Sequence, residues 1–257
     1  MRFLSKYLLY LAIFIFLLAV VTRIIPGPRT IDDSYITYRY ARNILAGNGF
    51  VYNPGERVLG TTTPFYTILL TFTSFFIGGI EAPFPQIAMI INALADGFTC
   101  LLLIYLGFRF KSLYAGLGAA LVWAIAPYSV TFAIGGLETS LYVLLLTAAF
   151  TAHISKRHIW TAFLGALALL TRPDALILLG PLAIDRLWQM INEGKRSKLK
   201  FSASRYLLEL SAFIIPVLVW VVFSSNYFGS PLPHSIAAKT VAYRLPSDTA
   251  LIRLLQH

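Results

Sequence analysis

Long apolar runs separated by short polar links dominate this chain. Eight such runs occupy residues 8–25, 64–80, 86–108, 113–133, 139–154, 159–170, 175–191 and 206–224. Several approach or exceed the ~20 residues that an α-helix needs to cross a bilayer. The runs are continuous and do not alternate, which predicts helices and argues against a membrane β-barrel. Only 12% of the 257 residues are charged and the mean hydropathy is +0.73, whereas a soluble domain carries about a quarter charged residues. The expected fold class is an all-α polytopic membrane protein.

The charges between the runs predict which runs cross. Arg2 and Lys6 precede the first run. That run is longer than the ~7–15 apolar residues of a signal peptide and lacks a small-residue cleavage site, so it reads as a retained span. If all eight runs cross, the basic links at 109–111, 156–157 and 195–200 fall on the outer side, against the rule that Lys and Arg collect in cytoplasmic loops. If 64–80 does not cross, all three links become cytoplasmic. Thr67, Thr71, Thr73 and Ser74 make that run the best one to demote. The expectation is about seven spans with the N-terminus inside, and 64–80 as a juxtamembrane or re-entrant helix. The links at 135–138 and 171–174, and the tail after 224, then lie outside. The run 159–170 rises only ~18 Å as a helix, well short of a ~30 Å hydrocarbon core. Such a run can end at a cavity or thin the local bilayer; with the break at Pro173, a water-filled cavity open to the far side would let Arg172 and Asp174 stay charged.

The net charge of +10 then follows from the positive-inside rule, and nucleic-acid binding is not expected because no basic stripe lies on a soluble fold. The single cysteine, Cys100, excludes an intrachain disulfide and a cysteine-based metal site. Walker, dinucleotide-binding, HExxH and Gly-x-Ser-x-Gly motifs are absent from the sequence. His153 and His158 flank Lys156-Arg157 and read as ordinary cytoplasmic-side residues.

Acidic residues are scarce, yet Asp32 and Asp33 stand side by side just past the first span. Either can cap a helix running to about Ala46. Ile36, Tyr40 and Ile44 form one stripe of it, with Arg39, Arg42 and Asn43 off the stripe. This describes an amphipathic helix in the interface, ended by Gly47 and Gly49. Two readings stand: ordinary caps with snorkelling arginines, or a carboxylate facing a hydroxyl acceptor with Arg39 or Arg42 holding a lipid phosphate. Glu56 and Arg57 can pair in the turn that follows. Glu138 caps a helix or lines the same site, and Arg172 and Asp174 pair across Pro173 or serve function. Tyr227-Phe228-Gly229 through Pro233, His234 and Ser235 lead to Lys239, an aromatic anchor followed by a proline turn.

The run from Asp32-Asp33-Ser34-Tyr35 through Arg42-Asn43, then Gly47-x-Gly49 and Val51 to Val58, resembles the first external loop of GT-C glycosyltransferases. Among these it is most similar to arabinofuranosyltransferase-like membrane proteins of bacterial cell-wall assembly. Gly136-Leu137-Glu138-Thr139, Thr171-Arg172-Pro173-Asp174 and Tyr227-Phe228-Gly229-x-Pro231-Leu232-Pro233 resemble later landmarks of that group in the same order. The resemblance covers roughly residues 30 to 240.

It implies a GT-C-like transmembrane module over 1–224, with juxtamembrane helices in an external loop at 26–85. Such relatives are usually about twice as long, so 225–257 reads as an extracytoplasmic segment that starts a further C-terminal region. The implied activity is transfer of a sugar, such as the pentose arabinofuranose, from a polyprenyl-phosphate donor to a hydroxyl of a glycan, lipid or protein acceptor, on the extracytoplasmic face of the cell membrane. Asp32 and Asp33 carry the catalytic carboxylate, Asp32 favoured, as base or as partner of a divalent cation that the sequence does not itself demand. Arg39, Arg42, Glu138, Arg172, Asp174, His234 and Lys239 are the candidates for binding donor phosphate or substrate. The competing readings are a transporter or lipid flippase, and an inactive truncated relative.

Overall fold

The computed structural model describes residues 2–196, 203–231 and 233. All regular structure among them is helical: α1 (Arg2–Ile24), α2 (Ser34–Leu45), α3 (Pro64–Ile77), α4 (Phe84–Arg109), α5 (Leu113–Ile125), α6 (Pro127–Ile134), α7 (Thr139–Ile154), α8 (His158–Thr171), α9 (Leu176–Arg196) and α10 (Ala203–Phe228), with short 3-10 turns at Gly79–Glu81 and Pro173–Ala175. Three helices, α1, α4 and α10, are long and apolar enough to cross a membrane. The pair α5 and α6, bent by 50° at the break, makes a fourth if it crosses as one span and is otherwise a re-entrant loop. Helices α3, α7 and α8 are apolar but shorter, and α9 carries Asp185 and Arg186. The seven-span topology needs α7, α8 and α9 to cross as well, and length and composition alone do not establish that.

Helix α4 is the centre of the bundle, packed against α1, α5 and α7, while α8 joins α7 to α10. Its apolar window is 61% buried, against 17% in α1 and 11% in α10. The outer helices therefore present Phe14, Leu17, Leu218 and Val219 outward. Apolar surface on that scale belongs against lipid, and the chain is a helical membrane protein.

Close approach of α4 and α5 rests on glycine. A Cβ at Gly107 would lie 2.5 Å from the Gly116 Cα, the small-residue contact that membrane helices use in place of a hydrophobic driving force. Gly107→Ala is expected to cost about 1–3 kcal/mol through overpacking. Gly118→Ala, where a Cβ meets nothing within 4 Å, is expected to be neutral or to stabilise by up to about 1 kcal/mol. Thermal unfolding of both variants in detergent checks the contrast.

The break between α5 and α6 has a cause in the sequence and a repair elsewhere in the chain. Pro127 has no N–H, so the Trp123 carbonyl four residues earlier loses its helical donor. Ser129 Oγ donates to it at 2.7 Å and Arg23 Nη2 at 3.1 Å. Arg23 Nη1 also reaches the Ala124 carbonyl at 2.6 Å. Its Nε pairs with Asp96 of α4 at 2.7 Å, and both side chains are fully buried. Asp96 also accepts from Trp123 Nε1 at 2.9 Å and Ser140 Oγ at 3.0 Å. A buried ion pair is tolerable only when its remaining donors and acceptors are met, and here they are.

The two ends of the bundle differ. Glu138 sits at one end of α7 and Ser155 at the other. Arg172 contacts Glu138, so the links 135–138 and 171–174 share an end. The Tyr105 and Ser155 hydroxyls meet at 3.2 Å, which puts the C-terminal end of α4 beside the basic link 155–157 at the opposite end.

Candidate functional site

The loop between α1 and α4 is fastened to the bundle along the turn after α6. Arg29 N and Ile31 N donate to the carbonyls of Ile134 and Gly135, both at 2.9 Å, and Ser34 Oγ donates to Gly135 O at 2.6 Å. The turn is held from below as well. Tyr66 of α3 donates to Gly136 O at 3.1 Å, and Asn92 of α4 donates to Leu137 O at 2.7 Å and to Ala133 O at 3.2 Å. Gly136 has φ +81°, and a Cβ there would run into the Tyr38 hydroxyl. Gly136→Ala is therefore expected to lose at least about 1–2 kcal/mol, the cost of left-handed backbone alone, as read by the thermal midpoint in detergent.

This lacing sets the start of α2 beside the start of α7. Asp33 occupies the N-cap position of α2, but its carboxylate makes no capping bond. The expectation that an aspartate caps this helix holds for position and fails for chemistry, because Ser34, Tyr35 and Ile36 N–H groups are taken by the Ile31, Asp32 and Asp33 carbonyls. Asp32 and Asp33 are exposed, and among the described residues neither carboxylate accepts a hydrogen bond.

Glu138 lies at the N-cap position of α7, also without a capping bond, and is buried. Its Oε1 is 3.4 Å from Arg172 Nη1, and Arg172 Nε is 3.2 Å from Asp174 Oδ1. Pro173 keeps Arg172 extended, at φ −151° and ψ 133°. This turns its guanidinium back over the Tyr142 ring at 5.6 Å and between the two acids. Burial raises the Glu138 carboxyl above its ordinary range. Arg172 opposes that rise, while the negative charges of Asp174 and Asp33 add to it. The fold thus gathers Asp33, Glu138, Arg172 and Asp174 into one electrostatic cluster, beside Asp32.

The other candidates are placed differently. Arg39 donates to Tyr52 O at 2.9 Å and to Asn53 Oδ1 at 2.8 Å, with its guanidinium 4.4 Å over the Tyr52 ring, so it clamps the loop. Arg42 lies 5.5 Å over the Phe84 ring. The Ile36, Tyr40 and Ile44 stripe packs on Phe50, Leu59 and Phe228, and Tyr38 and Ala41 join the core shared by α3, α4, α7 and α8. Protein therefore covers α2 on two faces, and the stripe read as an interfacial face is an internal contact. Glu56 accepts from Asn53 at 3.0 Å while Arg57 lies 4.8 Å over Tyr227, so the expected Glu56–Arg57 pair is replaced by these partners. Tyr227 and Phe228 anchor the loop to α10. His234 and Lys239 lie outside the described residues.

Among the described residues no group of three or more His, Cys, Asp or Glu side chains comes together to hold a metal ion. Asp32 and Asp33 are the pair that would hold a divalent cation together with a donor phosphate.

Three residues of the site had escaped the sequence: Tyr38, Tyr66 and Asn92. The Tyr38 hydroxyl is buried without a partner, and burial raises its pKa. A usable signal existed in α4, where Asn92 and Asp96 stand four apart in an apolar run and so share a helix face.

Fold and site together define a helical membrane protein with an acidic cluster built around one arginine at one end of its bundle. The chain is 32% identical over 234 residues to the terminal beta-(1->2)-arabinofuranosyltransferase of Mycobacterium tuberculosis (strain ATCC 25618 / H37Rv), a match covering 82% of this chain and 35% of that protein. The chain thus spans about a third of the length of this relative. No protein-family model matches it, and no solved structure does.

Proposed function

We propose that this chain is a membrane glycosyltransferase of GT-C type. It moves a sugar, a pentose such as arabinofuranose, from a polyprenyl-phosphate donor to a hydroxyl acceptor on the extracytoplasmic face. The observation that carries this reading is the 32% identity to an arabinofuranosyltransferase over most of the chain. The clustering of Asp33, Glu138 and Arg172 supports it. In the reaction a carboxylate of the Asp32–Asp33 pair takes the acceptor proton while the acceptor oxygen attacks the anomeric carbon. The bond from that carbon to the phosphate oxygen breaks, and the polyprenyl phosphate leaves with the electron pair. Arg172 is the cation of the cluster that meets this charge.

The seven-span topology belongs to the same proposal. The basic links 109–111 and 155–157 lie at one end of the bundle and the acidic cluster at the other, as the positive-inside rule requires if the cluster is external.

A transporter or lipid flippase is favoured by the broken pair α5–α6 and by the buried Arg23–Asp96 charges, but those charges satisfy each other and fill the break. Membranes containing the chain, given a panel of radiolabelled polyprenyl-phosphate sugars, are expected to yield a covalently glycosylated acceptor. Flux of the intact donor across proteoliposomes without covalent transfer is the result expected of a transporter.

A further inference from the structure

The end of the bundle away from the acidic cluster carries a second constellation, independent of the reaction proposed above. A cavity of about 420 Å³ is lined there by Lys156, Arg157, His158, Trp160, Arg205 and Glu209. A second cavity of about 410 Å³ shares Arg157 and Trp160 with it and continues between α4, α7 and α8 along Leu102, Ala148, Ala152 and Leu164. Both walls are largely apolar; the charged side chains gather around the first, and the second meets Thr151 and Ser155 as well.

Charge in the first cavity is not balanced by the protein. Glu209 is gripped by Arg186 through two 2.8 Å bonds and lies 3.5 Å from Arg205, so it offers little to the others. The side chains of Lys156 and Arg157 are exposed and form no ion pair among the described residues. The site also contains the start of α8. Arg157 holds its N-cap position without a side-chain cap, so the His158, Ile159 and Trp160 N–H groups lack helical acceptors. The dipole of this 14-residue helix favours an anion there. His158 is only 6% exposed, and its Nδ1, buried on the wall of this cavity, has no partner.

We infer that the two cavities form one site for an anionic phospholipid. The phosphate headgroup sits among Lys156, Arg157, Arg205 and the start of α8, and an acyl chain runs along the apolar trough past Trp160 and Ala148. The apolar continuation favours a lipid over a free phosphate ion. The location agrees, because basic pockets between membrane helices are where acidic headgroups bind.

The test uses the whole chain in phosphatidylcholine nanodiscs, titrated with phosphatidylglycerol brominated on its acyl chains. Quenching of Trp160 is read as the difference between the native chain and Trp160→Phe. Saturable quenching is expected. Its half-saturation should move up at least about tenfold when Lys156, Arg157 and Arg205 are all changed to glutamine, and by about fivefold for Arg157→Gln alone. Circular dichroism should show unchanged helix content. Equal quenching by brominated phosphatidylcholine, or an unchanged titration in the Arg157→Gln variant, would overturn the assignment. In a parallel arm, inorganic phosphate is titrated against the detergent-solubilised chain by calorimetry. Saturable phosphate binding that phosphatidylglycerol does not displace would overturn the lipid reading in favour of a free-ion site.

Discussion

Arg23→Ala is expected to produce the largest loss of stability of any single substitution in this chain. The guanidinium does two jobs at once. It neutralises Asp96 in a fully buried pair, and it supplies donors to the Trp123 and Ala124 carbonyls left open where Pro127 breaks the helix. Removing one partner of a buried pair typically costs about 3–5 kcal/mol, because the other charge stays behind uncompensated. The Trp123 and Ala124 carbonyls each lose one donor as well, keeping only Ser129 Oγ and Thr22 Oγ1 respectively. Asp96→Ala should also be severe, since it strips partners from Arg23, Trp123 and Ser140. The double variant should lose less than the sum of the two singles, because it leaves no unpaired charge. It should remain below the native chain, because each carbonyl at the break has lost one of its donors and the two deleted side chains leave a cavity. Tryptophan fluorescence during thermal unfolding in detergent measures all four proteins, and additive losses would mean that the pair is not coupled.

The second large effect concerns activity. Asp32→Ala is expected to lower sugar transfer by about 10²–10⁴-fold, the range a positioned general base supplies, with expression and helix content unchanged. The side chain is exposed and makes no bond that the fold depends on. Asp33 should act in part through its neighbour. Its charge is one of those that raise the Glu138 carboxyl, so Asp33→Asn lowers the pH at which Glu138 ionises. If ionised Glu138 supports the reaction, the acidic limb of the pH–rate profile then moves to lower pH. A profile displaced upward, or full transfer with both aspartates replaced by alanine, would contradict the assignment.

Much of this site could be read from the sequence because its signals are local. Gly135-Gly136 before Glu138 marks a turn feeding a helix, and Arg172-Pro173-Asp174 marks a break that holds a charge pair. The structure adds the joint between them, the 3.4 Å contact of Arg172 with Glu138. Helix α2 was also legible, ending at Leu45 with Gly47 and Gly49 both at positive φ. Its environment was not. Its residues make two apolar faces, and only tertiary packing reveals that protein covers both. Arg39 illustrates the same limit, since a surface arginine and a loop clamp look alike until Tyr52 and Asn53 fold back. The Arg23–Asp96 pair is the clearest case. The two residues are 73 positions apart; one sits at the end of the first apolar run and the other inside an apolar run, so no periodicity links them.

The direct measurement of the central claim is release of polyprenyl phosphate by the purified chain. Incubated with polyprenyl-phosphate-linked arabinofuranose and a hydroxyl-bearing glycan acceptor, the native chain should release polyprenyl phosphate in equal amount to new glycosidic product, and Asp32→Ala should release almost none. Release at the native rate by the Asp32→Ala/Asp33→Ala double variant, or no release by the native chain with any sugar of a donor panel, would contradict the account.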